Sequence, residues 1–300
     1  MRLGGVTRAV VAGLAVAILA AGCATDADGA RDADDTAVVA GAKVGKVLDV
    51  RVHRKEFATR CAGDEGEPSV MLVAGEGTDM VGAWDPVQSQ IGRFARVCAY
   101  DRLGVGGSDA PPRSQTLDDM ADDLDGVLRD LEMERPVVLV AHSIGGFVAA
   151  SFAQQNREDV AGLLLLDAAG PGFPQRVLRR LPRRDSAPGA AVRNGWQLLL
   201  DPADNEERLD GRSSFAAAEA YAPLGDVPIV ALTHSISDFG EDDIRPRQAA
   251  DLESAWEAGQ NRWLSLSSQA RLERVDLAGH DIARDQPEVV VERVRELVGG

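Results

Sequence analysis

Each thing the chain is short of removes a class of function. It carries 32 Lys and Arg against 48 Asp and Glu, a net charge of -16. It therefore lacks the positive surface that neutralising phosphates requires, and nucleic acid is excluded as a partner. Histidine is scarce, at 4 residues, and neither CxxC nor HExxH occurs. A metal centre consequently has no ligand set to rest on. The glycine-rich stretch 100–109 (YDRLGVGGSD) neither spells G-x-G-x-x-G nor leads directly into a helix, so no dinucleotide, and no cofactor of any kind, is expected. The apolar run at 9–22 is too short to span a bilayer as a stable helix. What remains, 300 residues with 45% hydrophobic content, suits one large monomeric domain with an insertion better than two complete cores.

Arg2 and Arg8 flank the start of that short run, which reads as an export signal over residues 1–22. It ends in LAAGC, similar to a bacterial lipobox, with Cys23 as the residue that takes the lipid. Acyl chains contribute about 0.8 kcal/mol per buried CH2, so an acylated Cys23 would make the membrane a partner and the protein a surface lipoprotein. Plain secretion, with Cys23 removed or unmodified, is the alternative. Residues 23–43 are acidic, lack apolar periodicity and read as a disordered tether. Cys61 and Cys98 remain after export, in an oxidising setting that favours pairing. Two buried free thiols are the other reading.

Beyond the tether, strands and helices alternate. Residues 44–52 and 55–60 alternate apolar and polar, as antiparallel edge strands do, and 69–74, 96–100, 137–141, 160–166, 227–232 and 271–277 read as further strands. Residues 116–131 make an amphipathic helix, with Thr116 and Asp119 spaced as a capping box. Helices are also expected from Gly145, over 251–266 and over 287–298. Alternation of this kind argues for a mostly parallel sheet with helices on both faces. Residues 171–226 are too long for a loop and read as an insertion. Arg176, Arg179, Arg180, Arg183 and Arg184 recur in it at helical spacing, either as a cationic stripe for an anionic partner or as a solvated face balanced by acids.

Residues 135–151 place Ser143 on a tight turn between an apolar strand and a helix, in the pattern A-H-S-I-G. This resembles the G-x-S-x-G nucleophile elbow of the α/β-hydrolase superfamily, with Ala141 in place of the first glycine. YDRLGVGGSD resembles the Y-D-R-x-G-x-G-x-S stretch common in the same superfamily, and G-H at 279–280 stands where the superfamily places its base. The resemblance covers residues 69–298 apart from the insertion. It implies an eight-stranded, mostly parallel sheet, a lid after the sixth strand (171–226) and core segments 44–170 and 227–300. It also implies a Ser143 nucleophile, a His280 base, and an oxyanion hole from the backbone N–H groups of Ile144 and Glu76, with the Glu76 side chain facing out. Asp101 and Arg102 would fix loops beneath the site. The acid is open between Asp238, after the seventh strand, and Asp167, after the sixth.

The expected function is hydrolysis of a small-molecule carboxylic ester by an exported serine hydrolase. Serine at the elbow disfavours the haloalkane and epoxide hydrolases of this fold, which use aspartate there. An exported aminopeptidase is the alternative enzyme, with Glu206, Glu207 or Glu219 holding the substrate amine. A surface binding protein with a retired site is the alternative outside catalysis.

Overall fold

In a computed structural model the described residues are 42–64, 68–181, 189–237, 239 and 244–299, all within one compact unit, Ala40–Gly300. The residues read as an export signal, Cys23 and nearly all of the expected tether lie outside them. So do Asp238, Arg183 and Arg184.

Eight strands form one sheet: β1 (Leu48–Val52), β2 (Lys55–Ala62), β3 (Val70–Val73), β4 (Val97–Tyr100), β5 (Val137–His142), β6 (Val160–Leu166), β7 (Ile229–His234) and β8 (Ala270–Val275). Their order is β1-β2-β4-β3-β5-β6-β7-β8. β1 and β2 are antiparallel additions at one edge, and every pairing from β4 onward is parallel. The first strand is shorter than its alternation suggests. Val44 makes only an isolated bridge to Ala62, and the residues between it and β1 are exposed.

Side chains alternate across a strand, so the central strands feed two cores at once. Met71, Val73, Leu139, Ala141, Leu163, Leu165, Ile229 and Ala231 face one cluster, built with α2 (Leu117–Asp130), α3 (Gly145–Gln155) and α7 (Pro246–Leu264). Val70, Leu72, Val138, Val140, Leu164, Leu166, Val230 and Leu232 face the other, closed by α1 (Met80–Ile91), α8 (Ile282–Asp285) and α9 (Pro287–Gly299). Burial on both faces explains why β5, β6 and β7 are continuous apolar runs rather than alternating ones. The capping box of α2 is formed, with the Asp119 N–H donating to Thr116 Oγ1 at 3.2 Å and the Thr116 N–H donating to Asp119 Oδ2 at 2.8 Å.

Among the described residues between β6 and β7 the chain makes three short helices, α4 (Phe173–Arg180), α5 (Ala190–Leu198) and α6 (Gly211–Ala218). Within the arginine stripe, Arg180 donates to the Asp251 carbonyl at 2.6 Å, tying α4 to α7. Cys61 and Cys98 face each other in the β2–β4 register and are joined by a disulfide. The bond closes a sequence separation of 37 residues. Replacing both cysteines with alanine is therefore expected to lower unfolding free energy by up to about 4 kcal/mol in the chain-entropy treatment. Denaturant titration of both proteins measures this, and coincident midpoints would contradict a structural role for the bridge.

Candidate active site

The carboxyl ends of the parallel strands gather the chemistry. Leaving β5, the chain turns so sharply that Ser143 takes φ 53, the left-handed region, which costs a non-glycine residue of order 1 kcal/mol or more. The surroundings hold it there: the Ser143 N–H donates to the Leu166 carbonyl at 3.1 Å, and the Gly146 N–H to the Ser143 carbonyl at 3.1 Å. The two glycines that follow are sterically required. A Cβ on Gly145 would lie 2.4 Å from the Ala74 carbonyl oxygen, and one on Gly146 would lie 2.5 Å from the Ala168 Cβ. The helix α3 can then start directly beneath the serine.

His280, in the loop after β8, reaches the serine. Ser143 Oγ donates to His280 Nε2 at 3.0 Å, and His280 Nδ1 donates to Asp167 Oδ2 at 2.7 Å. Asp167 follows β6, is fully buried and itself sits at φ 40. Of the two carboxylates open on sequence, Asp167 is the one that contacts the imidazole among the described residues.

Burial alone would raise the Asp167 pKa, but hydrogen bonds from His234 and His280 and their positive charge outweigh it and hold the group far below the ordinary carboxylate range. Further donors crowd Oδ1: Trp256 Nε1 at 3.0 Å, Gln260 Nε2 at 3.3 Å, the His234 N–H at 3.3 Å and Thr233 Oγ1 at 3.4 Å.

His234 is the residue that sequence reading missed. Its Nδ1 lies 2.9 Å from Asp167 Oδ2 and its Nε2 3.0 Å from Glu253 Oε1. Burial opposes its charge, yet the bonds and charges of the two carboxylates win and push its pKa up to about 10. The strand expected over 227–232 runs on to His234, so a residue assigned to a loop instead stands on the strand end. Continuing the strand alternation by two residues was the available signal.

The neighbouring loops are braced from below. Arg102 is buried and donates to the carbonyls of Ala74 and Gly75 at 2.6 and 2.8 Å. It also makes a two-point bond to Glu207 at 2.7 and 2.8 Å. Glu207 in turn accepts from the Gly77 N–H at 3.1 Å, so one buried ion pair ties the insertion to the loop after β3. Asp101 accepts from the N–H groups of Met80 at 2.6 Å and Gly107 at 2.9 Å. Glu76 is exposed, and desolvation followed by the nearby Glu207 raises its carboxyl pKa against the pull of Arg102. Among the described residues no hydrogen bond occupies the N–H of Glu76 or of Ile144.

His142 points away from the reacting side and donates from Nε2 to the His280 carbonyl at 3.0 Å. Burial, then the adjacent His280, pushes its pKa down to about 4. It clamps the histidine loop as a neutral ring.

Ser143, Asp167, Trp196, His234, Phe239, Trp256 and His280 line an open cavity of about 150 Å³. Trp196 comes from α5 of the insertion. Phe173 packs the outer wall, with its ring 4.7 Å from Trp256 and 5.3 Å from Trp196. A larger cavity of about 430 Å³, lined by residues such as His53, Lys55 and Asp123, shares no residue with this site.

A parallel sheet with a serine on a strained elbow after β5 and a histidine after β8 defines an α/β hydrolase. The α/β hydrolase family profile matches residues 70–293, and the chain belongs to that family. It is 25% identical over 228 residues to YqjL of Bacillus subtilis, covering 74% of this chain and 80% of that protein. It is 36% identical over 111 residues to a 2-hydroxymuconate semialdehyde hydrolase of Pseudomonas, covering 36% of this chain and 39% of that enzyme. Among solved structures it resembles the epoxide hydrolase CorEH, with TM-score 0.60 at 18% identity over 85% of this chain and 98% of that one. It also resembles a thermophilic esterase from Thermogutta terrifontis, with TM-score 0.55 at 22% identity over 84% and 97%. At these identities the structural likeness carries the fold alone.

The two perturbed histidines make stability depend on pH in opposite senses. His234 contributes stability that is whole below its unfolded pKa of about 6.5 and is lost as pH rises toward about 10. His142, buried neutral, costs stability as pH falls from that same unfolded value toward about 4. The melting temperature should peak near neutrality and fall on both sides, and in His234→Asn the alkaline fall should shrink. An alkaline limb unchanged in the variant would contradict the charge assigned to His234.

Proposed function

We propose that the protein is an exported serine hydrolase that cleaves small carboxylic esters through an acyl-enzyme on Ser143. The observation that carries the reading is the unbroken line of hydrogen bonds from Ser143 Oγ through His280 to the buried Asp167. In this reading His280 Nε2 takes the Ser143 proton as Oγ attacks the ester carbonyl, and then returns it to the departing alkoxide. Water repeats the sequence on the acyl-enzyme. Asp167 orients the ring and offsets the charge that forms on it. The N–H groups of Ile144 and Glu76 hold the oxyanion, and a donor in that position is worth roughly 3 to 4 kcal/mol.

Two observations narrow the substrate. A cavity of about 150 Å³ walled by Trp196, Phe239 and Trp256 suits a short acyl group. It also disfavours the aminopeptidase reading. Glu207 is spent on Arg102 and the Gly77 N–H, Glu206 and Glu219 are exposed, and Asp167, already saturated with donors, is the only carboxylate among the described lining residues. A retired binding fold is disfavoured by the 3.0 Å contact between Ser143 and His280, which such a protein has no reason to keep. Export is supported by the signal-like residues 1–22 and the lipobox-like cysteine at Cys23. The Cys61–Cys98 disulfide suits an oxidising compartment.

A fluorophosphonate probe is expected to label wild type on Ser143 and to leave Ser143→Ala unlabelled. On a nitrophenyl ester series, acetate and butyrate should be preferred over octanoate. Asp167→Asn should lower kcat by on the order of 10⁴-fold. No adduct on folded wild type, or equal turnover of Ser143→Ala, would sink the reading.

A further inference from the structure

One charged group in the site has no step in acyl transfer. The His234 ring lies between two carboxylates, with Nδ1 2.9 Å from Asp167 Oδ2 and Nε2 3.0 Å from Glu253 Oε1. An ionised carboxylate oxygen only accepts, and both Asp167 and Glu253 are held below their ordinary carboxyl pKa, so with both ionised each ring nitrogen donates and the ring is an imidazolium. Its side chain is 5% exposed, so water screens the charge little. The same Oδ2 also accepts from His280 Nδ1 at 2.7 Å. The carboxylate that serves the reacting histidine is thus shared with a second histidine, which is cationic at neutral pH.

We infer that His234 is a positioning residue: a fixed cation that braces Asp167 and offsets its charge, so that His280 stays a neutral base to lower pH than an aspartate alone would allow. The inference rests on the serine-hydrolase reading of Ser143 and His280. The geometry that carries it is the pair of carboxylate contacts on the two ring nitrogens, and the raised His234 pKa agrees with it.

Among the described residues the charged groups that face this pair can be named. From β6 comes Asp167, and from α7 comes Glu253. From β8 comes Arg274, whose Nε donates to the His234 carbonyl at 3.3 Å and whose charge acts on Glu253. The loop after β8 brings His280, and the elbow brings the neutral His142, its ring centroid 4.6 Å from that of His280. Asp281 stands 3.8 Å behind His142. Of these, His234 is the cation that shares an oxygen with His280, which sets the two donor nitrogens about 5–6 Å apart at most. A unit charge at that distance moves a titration by roughly one to two pH units. Removing it leaves the Asp167 charge met by neutral donors alone apart from His280, so His280 holds its proton to higher pH and activity is lost earlier on the acid side.

His234→Asn tests this, because the asparagine amide keeps an N–H donor near the Nδ1 position without the charge. The profile of kcat/KM for nitrophenyl acetate between pH 5 and 9 is expected to have its acid limb shifted upward by roughly one to two units in the variant. An acid limb that stays in place in folded His234→Asn would overturn the inference. A second measurement needs no variant: nitrogen NMR of the wild-type imidazoles should show both His234 nitrogens protonated across the same range. A neutral His234 tautomer at pH 7 would overturn the inference as well. The NMR readout holds whether or not an ester is turned over. Failure of the hydrolase reading, seen as wild type without Ser143-dependent turnover, is therefore told apart from failure of this inference, seen as an unmoved acid limb or a neutral ring.

Discussion

The arrangement depends on one buried carboxylate. Asp167 is withdrawn completely from solvent at the end of β6, where an ionised group without partners would be driven to take up a proton. It stays charged because donors converge on it from β7, from α7 and from the loop after β8. The donors from β7 and α7 are buried with their own elements, so the sheet and α7 together set the position of Oδ2. The position of Oδ2 then sets the ring plane of His280. A shift in any of those elements is felt at the serine.

Around that carboxylate the structure carries strain and compensates it locally. Ser143 and Asp167 both sit at positive φ without being glycine, and both are pinned by main-chain bonds to neighbouring strands, Ser143 to the Leu166 carbonyl and Asp167 to the Leu232 carbonyl. The sheet therefore does more than display the residues, because adjacent strands hold each other's bends. A similar economy joins the insertion to the core. Arg102 satisfies the carbonyls of Ala74 and Gly75 while holding Glu207, so the segment that roofs the cavity and the loop that would supply an oxyanion donor share one buried ion pair. Such a pair contributes little net stability, but breaking it by removing one partner is costly.

Much of this was legible in the sequence, for identifiable reasons. β5, β6 and β7 are buried on both faces, and their apolar runs could not be mistaken for surface segments. The elbow was readable because Gly145 and Gly146 are forced by close backbone approach, and such a constraint leaves a mark at fixed spacing. The helix α1 was not anticipated, since Gly82 and Pro86 interrupt its pattern, although Met80, Trp84, Val87 and Ile91 do bury one face. The choice between Asp167 and Asp238 could not be made, because it depends on how closely a loop 113 residues downstream approaches a strand end. His234 was hidden by a similar limit. The apolar run ends at Leu232, whereas backbone pairing to β8 carries the strand two residues further, with His234 opposite Val275.

The central proposal is that His280, oriented by Asp167, moves the Ser143 proton while the N–H groups of Ile144 and Glu76 face the reacting oxygen. A crystal structure of the protein after reaction with a small alkyl phosphonate tests it most directly. The account predicts phosphorus bonded to Ser143 Oγ, a phosphoryl oxygen within hydrogen-bond distance of both N–H groups, and the His280 ring still bonded to Asp167. Phosphorus on another residue, or a phosphoryl oxygen turned away from Ile144 and Glu76, would contradict it.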